Sequence, residues 1–150
     1  MLTERKSRRV RDIMTGDPAC VRESDGIVEA ARIMNREDAG VVPIVDGDRK
    51  LVGIITDRDI VVRLVAEGRN PLDCKVNEAM TKHIQSVRDD ASVDDVLDIM
   101  RSANVRRVPV CDQNDRIVGI VSMGDLAIET NEKTKVGDVV QDISEARPNN

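Results

Sequence analysis

The 150-residue chain has no Phe, Tyr or Trp. Its core must therefore be built from Val, Ile, Leu, Met and Ala. It also offers no aromatic platform of the kind that usually stacks single-stranded nucleic-acid bases. Histidine is nearly absent: the single residue, His83, has no Cys or His neighbour at metal-ligand spacing. Cys20, Cys74 and Cys111 are an odd number without paired spacing, which argues against a disulfide framework or a zinc site. Structural thiols, buried or half-exposed, are expected instead. No apolar run approaches the roughly 20 residues of a membrane span. The N-terminus opens on charges and not on the apolar stretch of a secretory signal. Reduced thiols without an export signal point to the cytoplasm.

Hydrophobic content of 40% and charged content of 34% are those of a globular protein, long enough for one core or for two small units. The net charge of −5 argues against general DNA binding, which needs a cationic surface. The charge is uneven: the segment 4–11 carries five basic groups against one acid. Two readings stand side by side. It is a solvated arm, or it reaches a phosphate-bearing ligand or an acidic partner.

The chain contains itself twice. With residues 76–125 laid on 10–59 without a gap, fourteen of the fifty positions are identical, among them Met14-Thr15 with Met80-Thr81, Val42-Pro43 with Val108-Pro109, and Asp59 with Asp125. Average composition gives about three or four by chance. An internal repeat of this kind suggests a two-fold pair with a ligand where the copies meet.

Each copy reads as strand, helix, strand, strand, helix. Ala19–Arg22 is a short extended stretch. Ile27, Ala30, Ala31 and Met34 recur at helical spacing, with Ser24 or Asp25 as the expected cap. Val41–Val45 is a β-branched run whose Pro43 lacks an N–H and so belongs at a sheet edge or strand start. Asp46-Gly47-Asp48 is a turn. Leu51–Ile55 is a continuous apolar run, expected to be buried on both faces. A helix from about Asp57 to Glu67 follows, ended by Gly68. In the second copy Ser92 and Asp95 have capping-box spacing ahead of Val93, Val96, Leu97 and Met100. Val108–Val110 and Ile117–Val121 are its strands, and a helix begins near Met123. Residues 69–75 read as a linker. Val136, Val139, Val140 and Ile143 predict a C-terminal helix over 131–145, with flexible tails at 1–7 and 146–150.

One element carries chemistry. In each copy the last strand runs into the last helix through hydroxyl-x-x-Asp: Thr56-Asp57-Arg58-Asp59 and Ser122-Met123-Gly124-Asp125. A capping box explains that spacing without any ligand. Three features speak for more. The element recurs, it lies at the carboxyl end of a strand, and free amides at a helix start attract anions. Hydroxyl and amides suit a phosphate, and the carboxylate can accept both hydrogen bonds of a ribose diol. No order of nucleophile, base and acid is present, nor a phosphate-binding glycine loop, so an enzyme is not expected.

The motifs Asp-Ile-Met-Thr, Gly-Val-Val-Pro-Ile-Val-Asp and Leu-Val-Gly-Ile-Ile-Thr-Asp-Arg-Asp-Ile, with their counterparts Glu-Ala-Met-Thr, Val-Arg-Arg-Val-Pro-Val and Ile-Val-Gly-Ile-Val-Ser-Met-Gly-Asp-Leu, resemble a CBS (cystathionine-β-synthase) domain. Two in tandem resemble a Bateman module, and the likeness spans about residues 8–130. It implies an α/β fold of the α+β kind: two pseudo-symmetric β-α-β-β-α repeats, at 8–68 and 76–130, packed through their sheets. It also implies association into a homodimer. No cofactor is required. The implied ligand is AMP, ADP or ATP, with S-adenosylmethionine or NAD(H) as further possibilities, bound in clefts that each copy completes for the other. Carried over by position, one cleft would use Asp125, Ser122 and Ile120 with Thr15, Ala19, Ala39 and Gly40. The other would use Asp59, Thr56 and Ile54 with Thr81, Gln85, Val105 and Arg106. Arg58, Arg106 and Arg107 would face phosphate or be plain surface charges. Arg58 corresponds to Gly124 and Ala39-Gly40 to Val105-Arg106, so the two clefts should differ in affinity. The resemblance leaves two functions open, a nucleotide sensor and a ligand-free dimerisation scaffold. A nucleic-acid regulator using the basic arm is a third.

Overall fold

The elements are, in chain order, β1 (Thr15–Gly16), α1 (Ile27–Glu37), β2 (Val41–Val45), β3 (Leu51–Thr56), α2 (Asp57–Ile60), β4 (Val87–Arg88), α3 (Val93–Ala103), β5 (Arg107–Cys111), β6 (Ile117–Ser122) and α4 (Met123–Thr130). This is a mixed α/β chain. The computed structural model describes residues 8–130. The helix expected over 131–145 and the tails expected at 1–7 and 146–150 lie outside the described residues.

α3 begins with the capping box read from its sequence. Ser92 Oγ accepts the Asp95 N–H at 3.1 Å, and Asp95 Oδ2 accepts the Ser92 N–H at 3.3 Å. α1 is different: neither Ser24 nor Asp25 caps it. Its N-cap is Gly26, without a side-chain bond, because the Asp25 carboxylate turns back to accept the Arg22 N–H at 2.8 Å. The inner face of α1 also departs from expectation. Ile27 and Ala30 are buried with Ile33 and Met34 packed beside them, while Ala31 faces outward. Both helices end on a residue in the left-handed region, Asp38 at φ 50° and Asn104 at φ 54°, residue types whose short polar side chains tolerate it.

Two compact units emerge among the described residues. One comprises 17–84 and 114–117, the other 8–16, 85–113 and 118–130. In the first, β2 and β3 pair antiparallel, with Val42 opposite Ile55 and Ile44 opposite Gly53. Single bridges extend the pair, Val21 to Ile44 on one side and Thr81 to Ile54 on the other. The Pro43 carbonyl accepts the Val21 N–H at 3.0 Å, so its missing N–H faces the side where only a bridge lies. The turn after β2 closes on Asp46, whose Oδ1 accepts the N–H of Asp48 at 2.9 Å and of Lys50 at 3.0 Å. β3 is not buried on both faces. Gly53 and Ile55 are buried, and Leu51, Val52 and Ile54 are half-buried, because the core of α1, Leu64 and Val76–Met80 covers one face.

In the second unit the sheet order is β1-β6-β5-β4. Thr15 lies opposite Ile120 in an antiparallel pair, and Val87 lies beside Val110 in a parallel one. These are the repeat equivalents of the Thr81–Ile54 and Val21–Ile44 bridges. Each unit therefore takes its leading segment from the opposite repeat. Val10 and Ile13 sit in the core with α3, β5 and β6, while Val76, Ala79 and Met80 sit in the core with α1, β2 and β3. Both cores are built from aliphatic side chains and methionine, with Cys74 in the first. Cys74 and Cys111 are buried, Cys20 is half-buried, and none of the three is in a disulfide.

The helix expected from Asp57 to Glu67 starts on time and then changes. After Ile60 it widens to a π-helical stretch, Val61–Val65, in which the Ala66 N–H donates to the Val61 carbonyl at 2.8 Å. The run Ile60-Val61-Val62 is β-branched, and such residues lose rotamer freedom inside an α-helix. Gly68, at φ +74°, ends it as expected. The stretch 69–75, expected as a plain linker, contains a 3₁₀ turn at Pro71–Asp73 capped by Asn70, whose Oδ1 accepts the Leu72 N–H at 3.1 Å.

Candidate functional site

Both hydroxyl-x-x-Asp elements fold as reciprocal capping boxes. In the first, Thr56 Oγ1 accepts the Asp59 N–H and Asp59 Oδ2 accepts the Thr56 N–H, each at 3.0 Å. In the second, Ser122 Oγ accepts the Asp125 N–H at 3.1 Å and Asp125 Oδ2 accepts the Ser122 N–H at 2.9 Å. The local sequence dictates this, since a strand end followed by hydroxyl-x-x-acid places both groups over the first helical turn. The cap consumes one oxygen of each carboxylate and leaves the other for something else.

What surrounds that other oxygen differs. Asp59 Oδ1 lies 3.7 Å from Arg63 Nε, four residues on. The Thr81 hydroxyl lies 3.5 Å from Asp59 Oδ1 and 3.4 Å from Oδ2. Arg63 is held in turn: its Nη1 donates to the carbonyls of Met80 at 2.7 Å and Ala79 at 3.3 Å. Arg63 is absent from the residues that sequence reasoning selects, although its i, i+4 spacing from Asp59 signals the pair. Among the described residues, Asp125 Oδ1 accepts no hydrogen bond.

The first-turn amides differ too, which corrects the expectation of free amides in both copies. In the first copy the Asp57 N–H donates to the Gly40 carbonyl at 3.1 Å, the Arg58 N–H to Asp57 Oδ1 at 2.8 Å, and the Asp59 N–H to Thr56. None is left for an anion. In the second copy the Met123 N–H donates to the Arg106 carbonyl at 2.9 Å and the Asp125 N–H to Ser122. The Gly124 N–H has no acceptor among the described residues.

The remaining candidates divide between the units. Thr15, Ile120, Ser122 and Asp125 share one unit, with Gln85, Val105, Arg106 and Arg107. Ile54, Thr56, Asp59 and Thr81 share the other, with Ala19, Ala39, Gly40 and Arg58. Each unit thus carries the same quartet of threonine, isoleucine, hydroxyl and aspartate. Ile54 and Ile120 are half-buried, Thr15 is exposed, and Arg58, Arg106 and Arg107 are exposed. Ala39 and Gly40 line a depression of about 360 Å³ with Asp57. Ala19 lines another of about 500 Å³ with Cys20, Arg22 and Arg49. Both volumes fall in the range of small-molecule sites. Burial pushes the Cys20 thiol up, against the opposing pull of Arg49, which disfavours its thiolate.

A family model described as CBS domain matches residues 10–66 and 76–132. An uncharacterized protein, YlbB, of Bacillus subtilis is 41% identical over 91% of this chain and 92% of its own. Hypoxic response protein 1 of Mycobacterium tuberculosis is 39% identical over 78% of this chain and 81% of its own. The solved CBS domain pair of protein MJ0100, in complex with 5-methylthioadenosine and S-adenosyl-L-methionine, is 35% identical over 81% of this chain and 98% of that one, with a TM-score of 0.72. The solved Hypoxic Response Protein I carries two coordinated zinc ions and matches at a TM-score of 0.75 and 38% identity, over 81% of this chain and 98% of that one. Among the described residues here no three His, Cys, Asp or Glu side chains converge to hold a metal, so they do not fit such a site. Nor is any described helix long and apolar enough to cross a membrane.

Proposed function

The chain belongs to the CBS-domain family, and from that premise we propose that it is a cytoplasmic, non-catalytic regulator that binds an adenosine-containing ligand. Its repeats are 8–68 and 76–130, joined by 69–75. The ligand class is AMP, ADP, ATP or S-adenosylmethionine, with NAD(H) as a further member. The observation that carries the reading is the recurrence of one quartet in both units: a Thr and an Ile paired across a strand edge, beside a hydroxyl and a carboxylate at a helix start. The carboxylate suits a ribose diol, the hydroxyl a phosphate or ribose oxygen, and the half-buried isoleucine an adenine face. The solved MJ0100 pair, whose ligands are both adenosine derivatives, supports the same class. Binding regulates only if the ligand prefers one arrangement of the chain over another.

The test is calorimetric unfolding against AMP, ADP, ATP, NAD, NADH and S-adenosylmethionine. A ligand at a hundred times its Kd adds about 2.7 kcal/mol, a rise on the order of 5–10 °C for a chain of this size. The Asp59→Ala, Asp125→Ala double variant is expected to lose that rise. A second reading, the ligand-free scaffold, is favoured by the completeness of the two capping boxes. It requires flat traces across the panel, with the double variant less stable by about 1 kcal/mol per cap.

A further inference from the structure

We infer that the chain takes one adenosine ligand, not two, and that Arg63 is the residue that closes the first copy. The inference rests on the reading just proposed. A ribose diol needs a carboxylate oxygen, with both of its lone pairs, that no other group holds. Asp59 lacks one. Its Oδ2 takes the Thr56 N–H, and its Oδ1 faces Arg63 Nε at 3.7 Å and the Thr81 hydroxyl at 3.5 Å. The Asp59 side chain is 13% exposed. The guanidinium cannot swing aside cheaply, since its Nη1 also serves the Met80 and Ala79 carbonyls. Swinging aside would give up both backbone hydrogen bonds and the ion pair together.

The second copy reverses each of these features. The position equivalent to Arg63 is Glu129, so the sequence has no cation there. Asp57, whose carboxylate fills the Arg58 amide, is replaced by Met123, and Arg58 by Gly124. Asp125 Oδ1 and the Gly124 N–H are therefore both available among the described residues, one as acceptor for a diol and one as donor to an anion. Arg63 imitates in the first copy the donors that a ligand supplies in the second.

Titration calorimetry of the full chain with AMP, and separately with S-adenosylmethionine, tests this, with melting curves checking each variant's fold. One ligand per chain is expected for the unaltered protein. Asp125→Ala is expected to abolish binding, because the Arg63-blocked half cannot substitute. Arg63→Met is expected to raise the stoichiometry from one to two, and adding Asp59→Ala to it to restore one. Two ligands on the unaltered chain, binding retained in Asp125→Ala, or a folded Arg63→Met still taking one, each overturn the inference while leaving the proposed function standing. If Arg63→Met does not fold, the Asp125→Ala arm decides alone. No binding of either probe to the unaltered chain sinks the proposed function for these ligands, and the one-site inference falls with it.

Discussion

Gly53 and Gly119 are repeat equivalents, and each marks the place where a borrowed strand presses on its host. A methyl group at Gly53 would lie 2.6 Å from Met80 Cε and 2.7 Å from the Thr81 carbonyl oxygen. At Gly119 it would meet Met14 Sδ and come within 2.9 Å of the Thr15 carbonyl oxygen. Methionine ends can move, but the Thr81 carbonyl accepts the Ile54 N–H at 3.0 Å and cannot retreat without breaking that bond. Gly53→Ala is expected to cost about 1–3 kcal/mol, lowering the Tm by several degrees on the order expected for this length. A scanning-calorimetry trace unchanged by the substitution would mean that the leading segment is not held there. The repeat alignment exposes both glycines in the sequence. It does not expose their reason, because the residues that crowd them are 27 or more positions away in one case and more than 100 in the other.

Elements differ in how much of them was legible. The boxes at Ser92, Thr56 and Ser122 follow from three-residue spacings, and all three form. Local rules of that range need no tertiary information. Spacing does not foretell the cap of α1, because the Asp25 carboxylate takes the Arg22 N–H and not an amide of the helix. The π-helical stretch after Ile60 was illegible, since apolar periodicity is too coarse to separate a hydrogen bond spanning four residues from one spanning five. That stretch carries Val61, Val62 and Val65 at 57%, 44% and 52% exposure. A β-branched stripe of this kind is where the homodimer implied by the family resemblance would pair two copies about a two-fold axis. Val61→Asp with Val65→Asp is expected to halve the mass measured by sedimentation. An unaltered mass for that variant would move the dimer contact elsewhere, and a monomeric starting protein would remove it.

At the scale of the whole chain, the repeat told where the copies begin but not which copy each leading segment joins. That choice is invisible in a sequence whose two leading segments share the same pattern, Val10…Met14-Thr15 and Val76…Met80-Thr81. It fixes what fragments can do. A chain ended at residue 68 lacks Cys74, Val76, Ala79 and Met80, all buried in the core of α1, β2 and β3. It is expected to show no cooperative unfolding transition, and a sharp melt would contradict the exchange. The exchange also imposes a timetable. Residues 17–84 hold nearly all of one unit and can close soon after they are made. Val10–Gly16, made before them, complete their pairing only when β6 and the start of α4 have been made. At typical synthesis rates that is a wait on the order of ten seconds. For that interval Val10–Gly16 is an unclaimed β-edge, open to a chaperone or to another copy's unfinished sheet.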